Sequence, residues 1–187
     1  MKIGIVSDTH GSVKTFQRVL SGTFCGVELI LHAGDVLYHG ARNPLTEGYD
    51  TAGLAAVING LSVPILIARG NCDSDADQFV IDAPIMSPYV FLYVEGRRIM
   101  VVHGDGKKDG DLENLMKQFD LDLLVHGHSH IARTRRTGKG LMVNPGTPTI
   151  PNPSSPYRKT AGIFDSTSGK IEIWDIETTE VVLKEAL

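Results

Sequence analysis

Two short patterns in this sequence pair metal-ligating side chains, Asp8-Thr9-His10 near the start and His128-Ser129-His130 far downstream. On an extended chain residues two apart point to the same side, so each pair can aim two donors at one cation. Asp35 after Gly34, Asn71 after Gly70 and His103 before Gly104 add three more donors, each just past a short apolar run. Seven donors exceed what one ion takes and suit two ions sharing a bridge. A carboxylate bridges best, and Asp35, midway between the first and later donors, is the expected bridge. Imidazole, carboxylate and one amide together fit transition ions better than an all-oxygen magnesium or calcium cage. Manganese is the first expectation, with iron, zinc, nickel and cobalt as alternatives.

Charge then selects a reaction. Two divalent ions set against Asp8, Asp35 and a bridging hydroxide leave about one positive charge, the complement of a phosphodiester. The expected chemistry is in-line attack by that hydroxide on a small phosphodiester.

Strand ends must bring these residues together. The donor stations fall roughly 25 to 36 residues apart, close to the length of one strand-crossover unit. Apolar runs at 2–7, 27–33, 63–68, 98–102 and 121–125 read as the donor-bearing strands, and 89–95 pairs with 98–102 as a hairpin. Helices are expected after the Gly11-Ser12 cap, over 51–61 and over 111–119. Residues 36–50 form a long loop, the usual place for substrate contacts, and 79–88 a connection. Five short strands follow, near 132–136, 141–144, 161–165, 170–176 and 180–185, with a Pro-rich loop over 145–156. Strand-helix alternation in front and a β run behind predict an α/β (α+β) chain, two mixed sheets packed together with helices outside, in one domain spanning 1–187.

The chain has 187 residues, 42% hydrophobic and 21% charged, which is enough for a full core. Its net charge of -4 argues against a nucleic-acid polymer as partner. No apolar stretch reaches the roughly 20 residues of a membrane span. No secretory signal is visible, and two cysteines do not make a disulfide framework, so the cytoplasm is expected. A homo-oligomer is compatible with such a surface.

The ordered series Asp-x-His, Gly-Asp, Gly-Asn, His and Gly-His-x-His resembles the calcineurin-like metallophosphoesterase family. The runs Tyr38-His39-Gly40-Ala41-Arg42-Asn43 and Gly70-Asn71-Cys72-Asp73 look most like its YfcE-type bacterial phosphodiesterases. The resemblance implies a four-layer αββα sandwich. It also implies one ion held by Asp8, His10, Asp35 and His130, and a second by Asp35, Asn71, His103 and His128. Where most of the family has a histidine after the asparagine, this chain has Cys72. A thiol cannot carry an imidazolium's charge, so diesters with good leaving groups are favoured over monoester dianions. Cys72 is weighed as a group at the phosphate or a small buried hydrophobe, and His39 or solvent as the proton donor. Arg42, and Asn43 beside it, are expected to contact substrate, since a guanidinium clamps phosphate oxygens. The same scaffold supports two alternatives: a phosphomonoesterase or nucleotide or pyrophosphate hydrolase, and a non-catalytic scaffold similar to the retromer subunit that shares this fold.

The remaining residues have plainer expectations. His32 and His126 lie inside strands and read as packing or supporting groups. Cys25 reads as core, Arg133, Arg135 and Arg136 as a guard on an edge strand, and Lys107-Lys108 as a solvated loop.

Overall fold

The computed structural model describes all 187 residues. Eleven strands are ordered as β1 (Lys2–Val6), β2 (Leu29–His32), β3 (Ile65–Ile67), β4 (Tyr89–Val94), β5 (Arg97–Val102), β6 (Leu123–His126), β7 (Ala132–Thr137), β8 (Gly140–Pro145), β9 (Thr160–Asp165), β10 (Lys170–Asp175) and β11 (Val181–Ala186). Three helices are interspersed, α1 (Val13–Ser21), α2 (Thr51–Asn59) and α3 (Asp109–Gln118). The long loop and the connection both hold, apart from a single 3-10 turn at Asp77–Phe79.

Two mixed sheets result. The first runs β11-β10-β9-β1-β2-β3, with β1, β2 and β3 mutually parallel and β9 antiparallel to β1. The second runs β4-β5-β6-β8-β7, with β5, β6 and β8 parallel and the hairpin strands β4 and β7 antiparallel at its edges.

The two-residue period of a strand builds the layers. Ile3, Ile5, Leu29 and Leu31 of the first sheet meet Ile99, Val101, Leu123 and Val125 of the second in a fully buried seam. Met100, Val102, Leu124 and Met142 point the other way, onto Leu112 and Met116 of α3. Phe16 and Val19 of α1 and Leu54 and Ile58 of α2 cover the outer face of the first sheet. The order is helix, sheet, sheet, helix, as expected. Full burial of side chains of this size stabilises the fold by about 1.5–3 kcal/mol each, as an upper bound.

Helix starts follow local chemistry. Ser12 caps α1 by accepting the Thr15 amide, and Asp50 caps α2 by accepting that of Gly53. No helix is long and apolar enough to cross a membrane.

Cys25 departs from expectation: it is exposed. It lies in the turn between α1 and β2, where its amide bonds the Gly22 carbonyl, and its neighbour Phe24 takes the core position under Gly4. Arg133 and Arg135 on the edge strand β7 pair with Asp109 at the start of α3, and Arg136 approaches Glu185. These ion pairs offset the charge of the three guanidiniums along the edge strand.

Candidate metal centre

Every donor in the sequence series sits just beyond a strand end: Asp8 and His10 after β1, Asp35 after β2, Asn71 after β3, His103 after β5, His128 and His130 after β6. The two sheets meet here directly. His103 on the second sheet donates its Nδ1 hydrogen to the Ala33 carbonyl on the first, at 2.7 Å.

The donors converge. Asp8 Oδ1 lies 3.2 Å from His130 Nε2, 3.8 Å from His10 Nε2 and 4.0 Å from His103 Nε2. Asp35 Oδ2 lies 3.4 Å from His103 Nε2 and 3.8 Å from His10 Nε2. His103 Nε2 is also 3.2 Å from Asn71 Oδ1 and 3.3 Å from His128 Nδ1. Donor atoms of Asp8, His10 and His130, and those of Asp8, Asp35 and His103, form sets lying within 4.8 Å of one another. Asp8, His10, Asp35 and His103 form a buried floor, while Asn71, His128 and the half-buried His130 reach the mouth.

Backbone carbonyls set the histidine tautomers. His10 Nδ1 donates to the Tyr38 carbonyl at 2.8 Å and His130 Nδ1 to that of Ile150 at 2.6 Å. With the hydrogen on Nδ1, each Nε2 turns a lone pair into the centre, the arrangement of a metal-ligating imidazole. The other Asp8 oxygen, Oδ2, accepts the His128 amide, whereas Oδ1 is buried without a hydrogen-bond donor. A buried carboxylate oxygen ringed by imidazole nitrogens calls for a proton or a metal cation between them.

The backbone concurs. Of the eight non-glycine residues with positive φ, five are Asp8, His10, Asp35, His128 and His130. Such conformations cost about 1–3 kcal/mol each and gather at functional sites. Gly70 answers a different need: a Cβ there would stand 2.2 Å from Asp35 Oδ1 and 2.4 Å from the Asp35 amide. Only glycine lets the two loops touch.

Electrostatics divide the charges. Burial opposes ionisation of Asp8, but the adjoining His130, His103 and His10 hold it well below the usual carboxylate range. Asp35 is lowered likewise, against burial, through His103. Burial also opposes a charge on His103, yet Asp35 and Asp8 push it up to about 9. The two carboxylates thus demand positive charge and, unaided, recruit protons to supply it.

Residues 1–169 match the model of the calcineurin-like phosphoesterase superfamily domain. The chain belongs to that superfamily. It is 36% identical over 157 residues to phosphodiesterase YfcE of Escherichia coli, covering 83% of this chain and 84% of that one. A solved structure of the E. coli phosphoesterase superposes with a TM-score of 0.86 at 30% identity, over 100% of this chain and 99% of that one. The fold extends further: a Vps29 of Entamoeba histolytica, complexed with zinc, superposes at 0.68 with 17% identity, covering 100% of this chain and 98% of that one.

Around the donor cluster lies a cavity of about 490 Å³. Arg42, Asn43 and Cys72 line one side, and Ser129, Ile150, Pro151, Asn152 and Pro153 the other. Asn43 commits its amide hydrogen to the His39 carbonyl, shaping the loop. Burial and the neighbouring Asp35 push the Cys72 thiol up to about 12, so it stays protonated. His39 is not among the lining residues: its ring lies edge-on to Tyr38 and Tyr49, with Nδ1 3.4 Å from the Tyr49 hydroxyl.

The sequence assigns no role to two residues that support the site, Asp73 and Asn144. Buried Asp73 accepts the amides of Val36, Asp35 and Gly70 and so fastens the loops after β2 and β3 together. Asn144 donates to the Gly127 carbonyl and to Ser129 Oγ beneath the histidine pair. The signal for Asp73 was its place two residues after the donor Asn71. His32 supports the floor as expected, its Nε2 bonded to Thr9 and its Nδ1 accepting the Gly34 amide, and burial lowers it to about 4.

Proposed function

We propose that the chain is a metal-dependent phosphodiesterase holding two divalent cations, with manganese the first choice among iron, zinc, nickel and cobalt. Asp8, His10, Asp35 and His130 would hold one, and Asp35, Asn71, His103 and His128 the other. Asp35 as the shared ligand is supported by its Oδ2 lying between His10 and His103, one histidine of each set. When bound, such a pair activates water for in-line attack and offsets charge on the phosphoryl oxygens.

The chain's own residues supply the rest. Arg42, at the cavity rim, is placed to bind a phosphoryl oxygen, and Asn43 holds its loop. Cys72, protonated beside Asn71, is neutral towards substrate, which favours a singly charged diester over a monoester dianion. The walls formed by 40–43 and 150–153 give room for a second ester arm. His39, turned towards Tyr49, leaves proton delivery to Cys72 or solvent. The substrate is a small diester in the cytoplasm, and the domain is taken as 1–187, since β10 and β11 extend the first sheet past the matched region.

The orphaned Asp8 Oδ1, ringed by the Nε2 atoms of His10, His103 and His130, carries this reading. Purified protein with manganese should hydrolyse bis(p-nitrophenyl) phosphate, and Asp35→Asn should reduce turnover at least about 100-fold. Unchanged turnover in excess chelator removes the mechanism.

A further inference from the structure

Residues 146–152 leave β8 in one sheet and lead towards β9 in the other, touching both donor loops on the way. Thr147 Oγ1 donates to the Asp8 carbonyl at 2.8 Å, and Thr149 Oγ1 donates to the Thr9 carbonyl at 3.0 Å. The Thr147 hydroxyl also accepts the amides of Thr149 at 3.0 Å and Ile150 at 3.2 Å. Ile150 is the residue whose carbonyl orients His130. Asn152 completes the stitching, its amide to the His130 carbonyl and its side chain to that of Ser129.

One fully buried hydroxyl, with its donor and both lone pairs in use, therefore links the backbone of Asp8 to the residue that aims His130. The link spans the two sheets. Asp8 needs it, since its backbone is held at φ 57°, outside the regions most side chains prefer. The other donors are fixed by different means, His103 through Ala33, and Asp35 and the Asn71 loop through Asp73.

We propose that Thr147 is a positioning residue that sets the Asp8–His130 spacing across the two sheets, and thereby governs the affinity of one cation and not the other. This rests on the two-cation reading above. A merely structural hydroxyl would lower the melting temperature and weaken both cations alike.

Calorimetric titration of manganese into cation-stripped protein, with the melting temperature measured in parallel, separates these outcomes. Wild type should take up two ions. Thr147→Val should weaken one by about 10–100-fold, the usual effect of losing a supporting hydrogen bond, with the other within about threefold. Thr147→Ser, which keeps the hydroxyl, should restore both. Should Thr147→Val fail to fold, Thr149→Val, which removes the hydroxyl's bonds to the Thr9 carbonyl and to the Thr15 hydroxyl but leaves Thr147 in place, should show the same one-sided loss to a smaller degree. Equal weakening of both ions, or full retention of both, overturns the inference. A wild type that takes up no manganese overturns the two-cation reading itself, so the two failures are distinct.

Discussion

The Nε2 atoms of His10 and His130 face each other at 3.1 Å while both Nδ1 hydrogens are committed to backbone carbonyls. Two lone pairs at that distance repel unless a proton or a cation stands near them. Asp8 and Asp35 strengthen the demand, and the floor is buried, which limits screening by water.

Cation uptake should therefore expel protons. His103, pushed up to about 9, is charged at pH 7.5, and a ligating imidazole must be neutral. Titration of manganese in two buffers of different ionisation heat should show release of about one proton per chain. Heats independent of buffer would contradict it. For the cation-stripped protein, a folded value above the unfolded 6.5 means that the contribution of charged His103 is complete below pH 6.5 and is lost as pH rises through about 9. Its melting temperature should fall across that window.

Gly70→Ala should disable the site while leaving the fold. The new Cβ would press on Asp35 Oδ1 and its amide, and displacing a ligand by about 1 Å can cost on the order of 100-fold in rate. Near wild-type diesterase turnover, with an unchanged far-ultraviolet spectrum, would show that the loops yield elsewhere.

Asp73→Asn should cost stability. Three amides point at the Asp73 oxygens, and an amide nitrogen in place of one of them sets donor against donor. Loss of a buried partner costs about 1–3 kcal/mol, or roughly 2–8 °C in melting temperature for a chain of this size. An unchanged melting curve would mean that Asp73 does not fasten these loops.

Cys72 and His39 should behave differently towards leaving groups. Cys72 lines the cavity and His39 turns away from it. Diesters of graded leaving-group acidity should show a steeper rate dependence for Cys72→Ala than for wild type, and none of that change for His39→Ala. The reverse pattern would restore His39 as the proton donor.

The donor series was legible because each member ends an apolar run, and a strand that must stop at a site leaves a polar residue after a buried stretch. Asp8, Asp35 and His103 carry that mark plainly. Thr147 carries none and Asp73 only its nearness to Asn71: their side chains serve backbone amides and carbonyls of distant loops, and such bonds have no period in sequence. The sequence marks 150–153 only as loop, and its place beside the site depends on how the chain crosses between sheets. For the same reason the ring of His39 could not be placed, since nearness in sequence to Asp35 says nothing of which way a loop side chain turns. Cys25 looked like core by residue type, and the turn after α1 put Phe24 there instead.

Diffraction from crystals of manganese-loaded protein, recorded at the manganese absorption edge, tests the central claim most directly. The account predicts two anomalous peaks about 3.5–4 Å apart with Asp35 between them. A single peak, no peak, or a pair that Asp35 does not touch would contradict it.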